Sequence, residues 1–266
     1  MVMPSIERPT VTLNYREAGS GPPLVFLHGW CDGSASWAAT LDAFAATYHC
    51  VAPDMRGHGD SGMPRDHCYT SEALTNDIVA ICGQAGVTSP VIVGHSYGGY
   101  LAAEVARRFP GFARAIVVED QALDLRGFTG QMRAVEFLVR SADTHMAFRD
   151  QLFDGMVTDA MPPDARAVIA SLKSTTPVEV GQALWSALFE FTEREIAVRS
   201  DELIDALGNQ PSLLVDASHS AEYYAEVARR APGTQTVVIE GGHWVHLEHP
   251  AAFRQRLREF ISGLQV

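Results

Sequence analysis

The chain has 266 residues, enough for one large domain or a domain with an insertion. Hydrophobic residues are 47% and charged residues 20%, the proportions of a globular chain with a buried core. Its 20 basic residues face 32 acidic ones, and the formal charge of -12 argues against nucleic acid and anionic membrane surfaces as partners. Met1 to Arg8 carries no apolar signal core and no run reaches membrane-spanning length, so a soluble, cytoplasmic protein is expected. Cys31, Cys50, Cys68 and Cys82 lack metal-ligand spacing. They are expected as reduced thiols, with Cys31 a small packing residue although it adjoins the site.

In chain order, Thr10 to Arg16 alternates and reads as an early exposed strand, and Leu24 to Leu27 is a continuous apolar run suited to a buried strand. His28-Gly29-Trp30-Cys31-Asp32 follows it directly. Gly29 lets that loop turn sharply, and the amide N–H of Trp30 is a candidate oxyanion donor. His28 is read as a residue that braces this loop rather than a catalyst. A helix is predicted over Ser36–Ala46 and a strand over Cys50–Pro53. Asp54 to Ser61 then forms a polar loop with a bracing role. A helix over Ser71–Gln84 leads to the strand Val91–Val93 and to Gly94-His95-Ser96-Tyr97-Gly98-Gly99, after which Tyr100–Arg108 reads as a helix. Glycines flanking a serine between a strand and a helix mark a turn too tight for side chains at Gly94 or Gly98. The turn presents Ser96 at a helix N-terminus, where backbone N–H groups favour negative charge.

Ala115–Val118 is a further buried strand. From about Leu125 to Asn209 no strand is evident, and helices are predicted over Gln131–Ser141, Thr144–Gly155, Pro163–Lys173 and Val178–Arg199. This stretch falls between the sixth and seventh strands. It reads as a helical cap (125–209) inserted into a core domain of 1–124 and 210–266. It would cover the C-terminal edge of the sheet, where open α/β sheets bind ligands. Most of its apolar residues pack the cap together; a minority, Trp185 among them, line an apolar pocket. Trp30, Tyr97, His28 and Trp185 make up the expected oxyanion and substrate-binding set.

Leu213–Val215 and Thr236–Ile239 complete the strands, with helices over Ala221–Arg230 and Ala251–Ser262. Strands alternating with helices give a mostly parallel sheet flanked on both faces. A nucleophilic serine needs a base, and the base needs an orienting carboxylate. His243, between the last strand and the last helix, is the candidate base, with His246 and His249 as bland neighbours. Asp216 comes too early to be the acid, and Ser218 to Ser220 occupy the loop where one would be expected. Asp120, just past Val118-Glu119, is the expected partner of His243, with Asp124 and Glu119 as alternatives.

The elbow at Ser96, His28-Gly29-Trp30, Arg56 to Ser61 and Gly242-His243 resemble, in that order, the motifs of the α/β-hydrolase superfamily over nearly the full chain. More narrowly, the chain resembles the cofactor-independent 3-hydroxy-4-quinolone 2,4-dioxygenases. Three features carry that likeness: Gly29-Trp30-Cys31, the acid at Asp120, and the polar segment from Val215 to Tyr223 in place of an acid loop. It departs from their pattern at Asp32, His28 and Tyr97. The resemblance implies an α/β-hydrolase fold with a helical cap after the sixth strand, a small hydrophobic aromatic substrate, and ring cleavage by O₂ with release of carbon monoxide. His243 and Asp120 would act as general base, Ser96 as a hydrogen-bond partner, and no metal or flavin would be needed. The alternative is a serine hydrolase, an esterase or C–C bond hydrolase, with Ser96 as nucleophile. A third class is a non-catalytic receptor on the same scaffold, which the set Ser96, His243 and Asp120 argues against.

Overall fold

Continuous apolar runs become the middle of a sheet because both of their faces must be covered. The computed structural model describes residues 2–217 and 219–264, and Ser218 lies outside them. The strands are β1 (Ser5–Glu7), β2 (Thr12–Ala18), β3 (Pro23–Leu27), β4 (His49–Pro53), β5 (Val91–His95), β6 (Ala115–Glu119), β7 (Ser212–Asp216) and β8 (Gln235–Val238). They form one sheet in the order β1-β2-β4-β3-β5-β6-β7-β8. The β1/β2 and β2/β4 pairs are antiparallel and all the others parallel, with Val25 opposite Ile92 and Val117 opposite Leu213. Side chains alternate faces along each strand. Leu24, Phe26, Val91, Val93 and Val117 therefore join Trp37 and Phe253 on one side, whereas Val25, Leu27, Ile92 and Val118 join Leu101 and Leu203 on the other. This is the mostly parallel, helix-flanked α/β-hydrolase fold. The short strand β1 was not expected; it is an exposed edge with little apolar signal.

The helices are α1 (Ala38–Phe44), α2 (Ser71–Gln84), α3 (Tyr97–Arg108), α4 (Arg126–Ala134), α5 (Glu136–Arg140), α6 (Ala142–Met156), α7 (Pro163–Thr175), α8 (Val178–Glu190), α9 (Glu193–Leu207), α10 (Ala221–Arg230), α11 (Val245–Glu248) and α12 (Pro250–Gly263). Three differ from expectation. The first opens as a 3-10 turn over Ser34–Trp37. The segment expected over 131–141 breaks at Val135, whose φ of -116° and ψ of 14° leave the helical region. The long helix expected over 178–199 is two helices. Thr192 is extended, accepts from the Glu195 N–H, and receives the Glu195 side chain in return, a capping box that starts α9 afresh. All of α4 to α9 lie between β6 and β7, and α9 packs along α3. No helix among the described residues is long and apolar enough to cross a membrane.

Candidate active site

The turn at Ser96 follows from its glycines. A Cβ on Gly94 would overlap the Gly98 carbonyl, and one on Gly98 the Leu27 carbonyl. Ser96 itself sits at φ 51°, ψ -124°, a conformation that L residues rarely adopt, at the N-cap of α3. Its N–H donates to the Glu119 carbonyl at 2.8 Å, tying the elbow to the end of β6. Gly29 serves close approach rather than a sharp turn. Its φ is not positive, and a Cβ there would stand 3.2 Å from the Ser96 Cβ. Among the described residues, neither the Trp30 nor the Tyr97 amide donates to a backbone carbonyl.

His243 follows β8, and its Nδ1 lies 2.6 Å from Asp120 Oδ2. With Nδ1–H donating to the carboxylate, Nε2 is the nitrogen left for a reacting group. Asp120 sits at φ 47°, just past the end of β6, and its Oδ1 accepts from the Ala217 N–H at 3.0 Å. Burial pushes the Asp120 carboxyl up. The hydrogen bond and charge of His243, the Ala217 N–H and nearby His219 together outweigh burial and hold it below the ordinary carboxylate range. The backbone of His243 is fixed too: His95 Nε2 donates to its carbonyl at 2.9 Å. Burial, with His243 and His246 alongside, keeps His95 well below the ordinary histidine range, so it is neutral.

The alternatives for the acid are engaged elsewhere. Glu119 binds His246 through Nδ1 at 2.8 Å and through the His246 N–H at 2.7 Å, on the far face of the sheet. Asp124 binds Arg126 at 2.8 Å. His28 does not line the cavity, contrary to its place in the expected binding set. It is fully buried, its Nδ1 donates to the Gly29 carbonyl at 2.8 Å, and its Nε2 accepts from the Met55 N–H at 3.0 Å. It holds the Trp30 loop to the loop after β4. That second loop is braced by Asp54, which accepts from the N–H groups of Ser34 and Asp60. Burial, partly offset by Arg149, pushes the Cys31 thiol up to about 12, as for a packing residue. All four cysteines are free thiols.

Ser96, Tyr97, Asp120 and His243 border one cavity of about 670 Å³, with Trp30 and Trp185 among its walls. The Trp30 ring stands edge-on to Trp185 at 5.1 Å, and its Nε1–H donates to the Gly181 carbonyl at 3.0 Å. Trp185 Nε1 is buried without a hydrogen-bond partner among the described residues. Phe128, Leu152, Phe153 and Leu188 extend the apolar wall. Two charged or ionisable members of this wall that sequence reasoning missed stand out for their partners. Arg199 of α9 reaches it while paired with buried Glu104, and His219 reaches it while 3.4 Å from Asp216. A histidine where the loop was expected to hold an acid, three residues after Asp216, was the available signal.

Residues 24–256 match the family model described as "Alpha/beta hydrolase family". The chain is 26% identical to 2-(acetamidomethylene)succinate hydrolase of Mesorhizobium japonicum, over 95% of this chain and 92% of that protein. It is 36% identical to an epoxide hydrolase of Caballeronia sordidicola over 40% of this chain, a match that spans only 33% of that relative's length. Among solved structures, the esterase RhEst1 from Rhodococcus sp. ECU1013 superimposes with a TM-score of 0.78 at 26% identity, covering all of both chains.

Proposed function

The chain belongs to the alpha/beta hydrolase family, and from that premise we propose that it is a serine hydrolase acting on a small acyl substrate with an apolar group. One observation carries this reading: Ser96 stands on its strained turn in the cavity that His243 also borders, with Asp120 holding His243 at 2.6 Å. The curated relatives named above are all hydrolases, which supports it further.

The chemistry follows from these positions. Ser96 Oγ attacks the substrate carbonyl and gives its proton to His243 Nε2. The carbonyl oxygen gains charge, and the N–H groups of Trp30 and Tyr97 at the start of α3 receive it. The tetrahedral species collapses, and His243 returns the proton to the leaving group. Water then attacks the acyl-serine by the same route, releasing the acid and restoring Ser96. Asp120 keeps the imidazole in the tautomer with Nδ1–H and stabilises the imidazolium. Residues 125–209 act as a cap over a core of 1–124 and 210–266, and its aromatic side chains exclude water and take up the apolar group.

Ring cleavage of a 3-hydroxy-4-quinolone by O₂ is the second reading. The position of Asp120 after β6, one of the three features that carry that resemblance, favours it. There Ser96 would only donate a hydrogen bond. A serine-directed fluorophosphonate separates the two, together with an ester panel and, in parallel, oxygen uptake on a 2-alkyl-3-hydroxy-4-quinolone. Hydrolysis with a stoichiometric adduct on Ser96 is the expected result. Oxygen uptake with matching carbon monoxide, retained in Ser96→Ala, would replace the hydrolase by the dioxygenase.

A further inference from the structure

We propose that Asp120, Asp216 and His219 form a binding site for a divalent transition-metal cation of the zinc class on the wall of the cavity. One donor atom from each residue lies within 4.8 Å of the others. His219 Nε2 and Asp216 Oδ1 are 3.4 Å apart. Two ligands of one tetrahedral zinc, with Zn–N and Zn–O bonds of about 2.0–2.1 Å, stand roughly 3.3 Å apart. The spacing of this pair is therefore already that of two corners of the tetrahedron.

A second observation points to a ligand. Asp216 is completely buried, yet neither of its carboxylate oxygens accepts a hydrogen bond among the described residues, and the buried His219 Nε2 has no hydrogen bond either. The Tyr224 hydroxyl and the His219 imidazole both face this carboxylate, but neither makes a well-formed hydrogen bond to it, which is costly for a buried charge. The only ion pair of Asp216 among the described residues is the one with His219. A cation seated between the two carboxylates would relieve both their burial and their mutual repulsion. Two carboxylates and one imidazole suit zinc better than a thiol-seeking metal. Asp120 and His219 both border the cavity, so a cation can reach the site from it.

The site shares Asp120 with His243. Asp120 Oδ2 meets His243 and Oδ1 meets the Ala217 N–H, so a metal on this carboxylate draws charge away from the imidazole. On the serine hydrolase reading, loading would slow acylation of Ser96.

The test is calorimetric titration of the full-length, chelator-stripped protein with Zn²⁺ alone. One equivalent is expected to bind at micromolar concentration, and His219→Gln and Asp216→Asn are each expected to weaken it at least tenfold. Should Asp216→Asn not fold, His219→Gln, on a loop, still decides the matter. Unchanged affinity in His219→Gln, or no one-to-one binding below millimolar zinc, would overturn the site. A second readout is the rate of fluorophosphonate labelling with and without one equivalent of zinc. Slowing by tenfold or more supports Asp120 as a ligand, and an unchanged rate removes it from the site. Absence of labelling in the metal-free protein would instead count against the hydrolase, and the binding result would stand apart from it.

Discussion

The end of β6 sets two His–carboxylate pairs back to back. Glu119 and Asp120 are neighbours in the chain, and so, nearly, are their partners His246 and His243. The distances are similar, 2.8 Å and 2.6 Å. The surroundings differ. His246 and Glu119 have no exposed side-chain surface, and the His246 ring stacks on Trp37 at 3.9 Å. His243 and Asp120 keep 17% and 12% of their side chains exposed and border the cavity with Ser96. The strand ends at Glu119, and the left-handed turn at Asp120 (φ 47°) aims the next side chain at the cavity, so one step along the chain turns the same chemistry from a clamp between layers into a group that can reach a substrate. A paired histidine and acid are thus no sign of catalysis by themselves; access and a nucleophile distinguish the two.

The contrast breaks most visibly in kinetics. Removing Ser96 or His243 by alanine should lower kcat on an ester by about 10⁶-fold, because members of such a unit fail together. Asp120→Asn, which keeps the shape but disturbs the tautomer, should cost about 10⁴-fold. Both losses should far outrun any loss of folding: the urea midpoint at pH 7 should fall only slightly, in Asp120→Asn by what its paired carboxylate contributes, and a large fall would recast Asp120 as a structural acid. Glu119→Ala should do the reverse. It leaves buried His246 without its carboxylate and should cost about 3–5 kcal/mol in urea unfolding, with activity following the folded fraction.

Acid sharpens the comparison from another side. Burial, with His28 nearby, lowers His58 to about 3, so the folded protein keeps it neutral where the unfolded chain would protonate it. Stability from His58 is complete above about pH 6.5 and is lost progressively as pH falls toward 3. Asp120 acts with the same sign. Its lowered carboxyl stabilises the fold above the ordinary carboxylate range and ceases to do so as pH falls through its folded value. The urea midpoint should therefore fall from pH 7 to pH 4 through His58, and the further fall below pH 4 should be shallower in Asp120→Asn; equal slopes below pH 4 would show that Asp120 contributes nothing. The smallest expected effect is at Trp185. Replacing it by Phe removes the unpartnered indole N–H and should raise KM about threefold if that group meets substrate.

Local signals explain what could be read from the sequence. Gly94 and Gly98 flank Ser96 because backbone crowds both positions, and crowding of that kind leaves a mark in the residues themselves. The central strands declare themselves by their apolar runs. Phe191-Thr192 did not declare a break, because the apolar pattern of α8 continues across it and only the reciprocal bonds of Thr192 and Glu195 restart the helix. His28 offered a histidine next to an expected oxyanion loop, yet its hydrogen bonds to Gly29 and Met55 turn it away from the cavity. The meeting of His219 with Asp216 depends on the path of a loop and has no periodicity to reveal it.

The most direct measurement is intact mass during turnover of an activated ester, quenched in acid and mapped by peptide digestion. An acyl adduct on the peptide carrying Ser96, rising before steady state and absent in Ser96→Ala, is the expected result. Turnover at an undiminished rate in Ser96→Ala, with no adduct in the native protein, would contradict nucleophilic catalysis at this site.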